Sequence, residues 1–235
     1  MTNLRIGTVL LGVVVVICAN GCFETDKAKT PTPQHLPQQA NPPQQASTEF
    51  SSRERLTNSQ VLELAKQHQL ERLEVYDASE VDSQSWTTVL SSLPELRRLR
   101  IEQGAVSDEV LASIGGLEKL EVLNVPHGDF TNAGLTKVLS LPKLMLLRIG
   151  SSKVTDDGFK GIARAKALRF VHLLNVPISD DGLAAFHNMD QLESFYIDNG
   201  TETEDGIREL LKKQPRLHFH RNQLHVAEDP NSDGH

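Results

Sequence analysis

Apolar positions in this chain recur on a 24-residue period. Leu96, Leu120, Leu144, Leu168 and Leu192 stand one period apart, and so do Ser107, Thr131, Thr155, Ser179 and Thr203. Within each period the apolar spacing changes. Leu120, Leu123 and Val125 fall at short intervals, and Phe130, Leu135, Val138, Leu139 and Leu141 follow at the wider spacing of a helix. The next periods repeat this with Leu144, Leu147, Ile149, Val154, Phe159 and Ile162, with Leu168, Val171, Leu173, Ile178, Leu183 and Phe186, and with Leu192, Phe195, Ile197, Ile207 and Leu210. A spacing near two that gives way to three or four predicts a strand followed by a helix. The recurring Ser or Thr reads as the helix N-cap, contributing about 1 kcal/mol. The acidic residues after it (Asp108, Asp156, Asp157, Asp180, Asp181, Asp205) suit the positive helix end.

The period slips at both ends. Leu70-x-x-Leu73-x-Val75 opens the first strand, yet Leu96 lies 26 residues after Leu70, so two extra residues fall in the bend near Ala78-Ser79-Glu80. Counting back from Leu70 by the distance that separates Ser107 from Leu120 gives Thr57, with Gln60 three residues on, a capping box. This predicts a capping helix over 57–68 with no strand before it. At the other end Phe219 matches Val171 and Phe195, which predicts a last short strand over 217–221. Leu-x-x-Leu-x-Leu at a fixed period of this length predicts an α/β leucine-rich-repeat solenoid over about 56–222. It should have seven parallel strands on a concave face, helices on a convex face and right-handed crossovers.

The string Val/Ile-Thr/Ser-Asp-Asp-Gly-Leu/Phe resembles the cysteine-containing repeats of F-box proteins and the related GALA-type and ribonuclease-inhibitor-like repeats of bacteria. The resemblance covers about residues 57–222 and implies the fold, not a role, because this fold carries adaptors, inhibitors and adhesins alike. The Asn or Cys usual after the strand in that family is replaced by Gly104, Gly128, Ser152, Val176 and Gly200, so its buried side-chain ladder is expected to be missing. No F-box is visible.

The first 22 residues are of another kind. Arg5 precedes an apolar run from Ile6 to Ile17, and Ala19-Asn20-Gly21 lead to Cys22. This reads as an export signal, too short for a comfortable membrane span. Gly21-Cys22 resembles the cleavage and acylation site of bacterial lipoproteins, which implies a lipid on Cys22. Ordinary secretion with cleavage nearby, and a retained anchor helix, are the alternatives. Loss of Cys18 with the leader would leave a mature chain whose single cysteine is acylated, excluding disulfides, thiolate metal sites and a cysteine nucleophile. Residues 23–55 are rich in Pro and Gln and read as a disordered tether. Extended, such a segment reaches up to roughly 90 Å. Residues 223–235 read as a disordered tail.

The formal charge is −7, and removing Arg5 with the leader makes it −8. Such a chain is a poor partner for nucleic acid, whose binding needs Lys and Arg at phosphates. There is no Gly-rich phosphate loop and no Gly-x-Ser-x-Gly element, and no cofactor is expected. The repeated Asp residues read as helix-start residues, not as a calcium or catalytic cluster.

What remains is the concave face. Alternate strand residues form two columns there: Arg98, Val122, Leu146, Phe170, Ser194 and His218, and beside it Arg100, Asn124, Arg148, His172, Tyr196 and His220. Apolar and aromatic residues ringed by Arg are the composition of a protein-binding hot spot. Arg98, Arg100, Val122, Asn124, Leu146, Arg148, Phe170, His172 and Tyr196 are therefore the candidate partner-binding residues. His218, His220 and His225 lie close together, and imidazoles suit zinc, but the pattern adds no carboxylate or thiol, so a polar end strand is the reading and no metal site is assigned. The chain reads as non-enzymatic: a membrane-anchored, exported binder of a protein or peptide. An envelope structural or carbohydrate-binding module is the alternative.

Overall fold

The computed structural model describes residues 48–222 and the short strand at 224–225. The leader, Cys22, most of the tether and residues 226–235 lie outside the described residues.

Among the described residues nine strands form one sheet in chain order. They are β1 (Glu49–Thr57), β2 (Arg72–Glu80), β3 (Arg98–Ile101), β4 (Val122–Val125), β5 (Leu146–Gly150), β6 (Phe170–Leu174), β7 (Ser194–Asp198), β8 (His218–Arg221) and β9 (Leu224–His225). β1 to β8 pair in parallel. Helices α1 (Asn58–Leu64), α2 (Ser83–Leu90), α3 (Asp108–Ile114), α4 (Asn132–Val138), α5 (Asp180–Ala184) and α6 (Glu204–Lys213) connect them. This is the leucine-rich-repeat solenoid that the period predicts. Among the described residues no helix is long and apolar enough to cross a membrane.

Between sheet and helices lies one continuous apolar core. Leu73, Leu99, Leu123, Leu147, Val171, Phe195 and Phe219 are all but fully buried and stand side by side in the strand register. Each such side chain contributes roughly 1.5–3 kcal/mol by leaving water. The C-terminal half adds an aromatic spine: the ring of Phe186 lies 5.6 Å from Phe159 and 4.4 Å from Phe195, which meets Phe219 edge-on at 5.7 Å.

The seven expected strands are β2 to β8, and the structure adds one at each end. β1 occupies 49–57, where a tether was expected to run to residue 55 and no strand to precede the capping helix. Its apolar signal is thin. Only Phe50 and Leu56 face the core, and Phe50 pairs with Leu73 in register. The charged residues between them suit an edge strand, which must resist further pairing. The capping box of Thr57 and Gln60 opens α1 as expected. β9 turns back antiparallel on β8, with His225 opposite His220, so the sheet continues past residue 222. The two extra residues near Ala78 do not form a loop. They extend β2 to Glu80, and Ala78, fully buried, bridges Gly104.

The helix starts differ from the simple capping picture. Asp82, not Ser83, caps α2, its carboxylate accepting the Ser85 N–H at 2.7 Å. The side chains of Ser107 and Thr155 cap nothing. The segment after Thr155 forms two 3₁₀ turns, Asp156–Phe159 and Ile162–Arg164, instead of an α-helix. Gly158 and Gly161 stand close together here, and each glycine costs an α-helix about 1 kcal/mol.

The acidic residues do more than face a helix dipole. Asp108 accepts bonds from the Thr131 N–H and hydroxyl, both at 2.8 Å, and from the Gly134 N–H at 3.0 Å. Asp156 grips Ser179 in the same way, Asp180 grips Thr203, and Asn132 bonds Thr155. The first residue of one helical segment is thus tied to the cap of the next. The rung from Ser83 to Ser107 is absent: Ser83 bonds the Ala105 carbonyl, and Ser107 bonds Glu109.

A second ladder runs through Asn175 and Asn199, which stand one residue before Val176 and Gly200, two of the positions where the buried family ladder was expected to be missing, and on to Asn222. Asn175, Asn199 and Asn222 adopt φ of 52°, 60° and 50°, a left-handed conformation that Asn tolerates better than most residues. The Asn199 side-chain amide donates to the Asn175 oxygen at 2.9 Å, and the Asn222 oxygen accepts the Asn199 N–H at 2.9 Å. It is exposed, not buried.

Candidate functional site

The strand register assembles both predicted columns on the open face of the sheet. Arg98, Val122, Leu146, Phe170, Ser194 and His218 are successive neighbours, and so are Arg100, Asn124, Arg148, His172, Tyr196 and His220. Phe170 is 37% exposed, Val122 and Leu146 are half-buried, and all three lie on adjacent strands about 4.8 Å apart. Arg148, Phe170, His172, Ser194, Tyr196 and His220 line a hollow of about 580 Å³ together with Leu146 and Val171. That size lies within the range of ligand-binding clefts. All nine candidate residues share this face. Leu146, Arg148, Phe170, His172 and Tyr196 meet in the hollow; Val122 and Asn124 continue it toward Arg98 and Arg100.

A third column, two residues further along the strands, is the part that sequence reasoning missed. It carries Tyr76, Glu102 and Asp198. Arg100 pairs with Glu102, its Nε at 2.7 Å from Oε2. Arg148 donates from Nη1 to Asn124 Oδ1 at 3.0 Å, with Glu102 Oε1 3.9 Å away. The Arg148 Nε–H donates to His172 Nδ1 at 3.3 Å, so that nitrogen acts as acceptor. The ring proton then sits on Nε2, which donates to Asp198 Oδ2 at 2.9 Å. Tyr76 takes the guanidiniums of Arg53 and Arg100 over its ring at 4.6 and 4.4 Å. The polar side chains therefore form one chain of contacts from β1 to β7. Of the three arginines in the two columns, Arg98 is the one whose guanidinium has no hydrogen bond or ion pair among the described residues.

His172 and Asp198 form a carboxylate–imidazole pair that the two-column reading did not contain. The signal was available, since Asp198 lies two residues after Tyr196 and alternate residues share a face. Both ring nitrogens of His172 are engaged, one by Arg148 and one by Asp198, so the imidazole does not bond Ser194 in the same hollow. The arrangement fixes the orientation of the ring and does not present a base to the Ser194 hydroxyl. Tyr196 stacks on His220 at 4.4 Å and lies 5.6 Å from His172. Among the described residues no group of three or more His, Cys, Asp or Glu side chains is disposed to hold a metal ion.

No family model and no curated protein matches the chain. Solved structures do overlap it. One is a plant peptide hormone receptor, RGFR1, in complex with RGF2: 15% identical, TM-score 0.46, over 68% of this chain and 26% of the receptor. Another is an internalin C2 from Listeria monocytogenes: 14% identical, TM-score 0.44, over 75% of this chain and 80% of the internalin. The chain thus spans about a quarter of the receptor's length. At these scores the overlaps assign no role. The architecture stands on its own strand register and ladders.

Proposed function

We propose that this chain is a non-enzymatic, exported leucine-rich-repeat protein, anchored to a membrane through a lipid on Cys22, that binds a protein or peptide partner on the concave face of its sheet. One observation carries the reading. The middle of that face is an apolar stripe, Val122, Leu146 and Phe170, beside a hollow whose polar walls are already fixed by bonds among themselves. Binding there need not order loose arginines first, and side-chain ordering is a main cost of association. Phe170 is the anchor: it is large and exposed, and it has no core to support. Large aromatics of this kind supply most of the energy at interfaces.

The carbohydrate reading fits less well. A sugar platform needs flat aromatic faces side by side, and of Phe170 and Tyr196 only Phe170 is open, since Tyr196 is stacked against His220 with His172 close by.

The test is affinity capture from envelope extract with wild type and Phe170→Glu in parallel. A species held by wild type and lost with Phe170→Glu supports the reading. Equal capture by both moves the interface off this face.

A further inference from the structure

Charge is not spread evenly along this chain. Residues 130–179 hold eight Lys and Arg against two carboxylates, Asp156 and Asp157, a net charge of +6 within a chain of −7, so the rest carries −13. Four of the eight are engaged: Arg148 by Asn124, Lys153 by Asp129, Lys160 by Asp157 and Arg169 by Glu193. The other four, Lys137, Lys143, Arg164 and Lys166, are exposed, and their side chains have no hydrogen bond or ion pair among the described residues. All four lie where a helical segment ends and the chain turns toward its next strand. Lys137 is in the last turn of α4 and Lys143 in the link to β5; Arg164 ends the second 3₁₀ turn and Lys166 is in the link to β6. Parallel pairing of β5 with β6 sets these two links side by side. Further along the same rim α6 adds Lys212 and Lys213. Cations at a helix end suit its dipole. Yet α2, α3 and α5 have none in the last turn, and Arg164 closes a 3₁₀ turn, so the dipole does not account for the gathering.

We propose that this rim of helix ends is a binding surface for the anionic headgroups of a phospholipid bilayer. The cations stand in a row over adjacent repeats and do not converge on a point, which fits a charged plane better than one small ion. Being unpaired, they meet the headgroups without breaking an ion pair within the fold. Each Lys or Arg brought to an anionic surface strengthens binding roughly fivefold. The rim has room as well as charge. Arg164 lines a hollow of about 480 Å³ with Thr136, Leu139 and Ser140 of the preceding repeat and with Asp157, which Lys160 already holds. A Cβ on Gly161 beside it would touch nothing within 4 Å, so the surface is open there. Apolar contact is at hand too: Met145, two residues after Lys143, is 43% exposed. Surface binding of this kind draws on both apolar area and charge. The rim is separate from the hollow on the open face, and the proposal depends neither on the partner-binding reading nor on a lipid at Cys22.

The experiment is cosedimentation of the chain from Phe23 onward with phosphatidylcholine vesicles, with and without phosphatidylglycerol. The core begins at Phe50 and ends at Phe219, so this chain keeps the whole described fold and loses the apolar leader, which would enter any vesicle. Binding to the phosphatidylglycerol vesicles is expected to be at least roughly tenfold tighter than to the neutral ones and to weaken as salt screens the charges. Arg164→Glu/Lys166→Glu should lower it roughly tenfold or more, and so should Lys137→Glu/Lys143→Glu, whereas Arg164→Lys/Lys166→Arg should keep it. Lys66→Glu/Lys119→Glu changes the net charge equally, but at cations paired with Glu63 and Glu95, and should also keep it. Circular dichroism with temperature checks that each variant is folded. Equal binding to both kinds of vesicle, or folded rim variants that bind as the parent chain does, overturns the proposal. An equal loss in Lys66→Glu/Lys119→Glu reduces the effect to overall charge and overturns it too. Capture of soluble polyphosphate without vesicle binding gives the rim to a dissolved polyanion and overturns the lipid reading.

Discussion

The carboxylate of Asp180 occupies the space that a side chain on Gly206 would need: a Cβ there would stand 2.0 Å from Oδ1. That oxygen accepts the Thr203 N–H at 2.8 Å and cannot withdraw without losing the bond. The same relation joins Asp108 to Gly134, Asn132 to Gly158 and Asp156 to Gly182, with separations of 2.3–2.6 Å. The recurring glycine is therefore the other half of the inter-repeat rung. Glycine accompanies four of the rungs but not the first: Asn58 accepts the Asp82 N–H at 2.9 Å with Ser85 at the corresponding position, and where Ser83 makes no rung that position holds Val110, which is fully buried.

Gly206→Ala is accordingly expected to destabilise the domain by about 1–3 kcal/mol, the usual cost of overpacking, even though alanine is the better helix former by about 1 kcal/mol. In an Asp180→Ala background the sign should reverse, because the obstruction is gone and the propensity gain remains. Urea unfolding of the four proteins of this cycle measures the coupling. Additive effects would show that the rung does not exist in solution.

The caps should separate in the same way. Thr203 accepts the Gly206 N–H and donates to Asp180, so Thr203→Ala should cost about 1–2 kcal/mol. Ser107 caps no N–H and its hydroxyl bonds Glu109, so Ser107→Ala should stay within about 0.5 kcal/mol. Equal losses at the two sites would return the hydroxyls to a uniform capping role.

How much of this was legible in the sequence follows from what each signal rests on. The period fixed the register of β2 to β8 and both open-face columns, because one buried Leu, Val or Phe per strand must recur in step. β1 escaped because an edge strand buries few residues, and Phe50 and Leu56 alone do not make a pattern. Asp198 escaped because the columns stopped one alternation short of it. The Asp and Gly of the Thr-Asp-Asp-Gly string were both visible. Their pairing was not, because the partners lie in different repeats, 26 residues apart in Asp108–Gly134 and Asp180–Gly206 alike. The 3₁₀ turns after Thr155 were signalled by the second glycine, Gly161.

Glu202 gives the fold a pH dependence. Its side chain is fully buried near Gly200. Arg221 Nε stands 2.9 Å from Oε1, outside hydrogen-bond alignment, and neither carboxylate oxygen has a hydrogen-bond partner among the described residues. Burial pushes the carboxyl above its ordinary value of 4.5, against the pull of Arg221. A group raised in the folded state stabilises fully below its unfolded value and loses that contribution as pH rises through the folded one. Glu202→Gln should therefore match wild type near pH 4.5 and melt at or above it at neutral pH, while Arg221 keeps Glu204 as a partner at 2.6 Å. Asp108 works the other way. Burial opposes the shift, but the Thr131 and Gly134 donors hold its carboxyl below the ordinary 3.8, so its contribution is lost only in stronger acid. A Glu202→Gln variant that melts lower at neutral pH than wild type would make the Arg221 pair, not burial, the dominant influence.

The anchoring proposal has a direct test. A lipid binds the bilayer with about 0.8 kcal/mol per buried CH₂, so a doubly acylated Cys22 holds the chain on a membrane. Cys22→Ser should move the exported protein into the soluble fraction, read by fractionation and blotting. If Cys22→Ser stays with the membrane, the leader is retained as a helix or the anchor lies elsewhere.

The last expectation sets Phe170 against its neighbour Val171. Both belong to β6, but alternation turns Phe170 outward and Val171 into the core, where it is almost fully buried. Phe170→Glu should leave the melting midpoint nearly unchanged, since no core contact is lost, and should weaken partner binding at least about thirtyfold, the effect of losing about 2 kcal/mol at a hot spot. Val171→Glu should unfold the domain, because a carboxylate placed between Leu147 and Phe195 has neither water nor a counter-ion there. Circular dichroism with temperature and titration of the captured partner distinguish the two. If Phe170→Glu binds as wild type does while folded, the apolar stripe is only strand propensity, and the interface belongs on the helical layer.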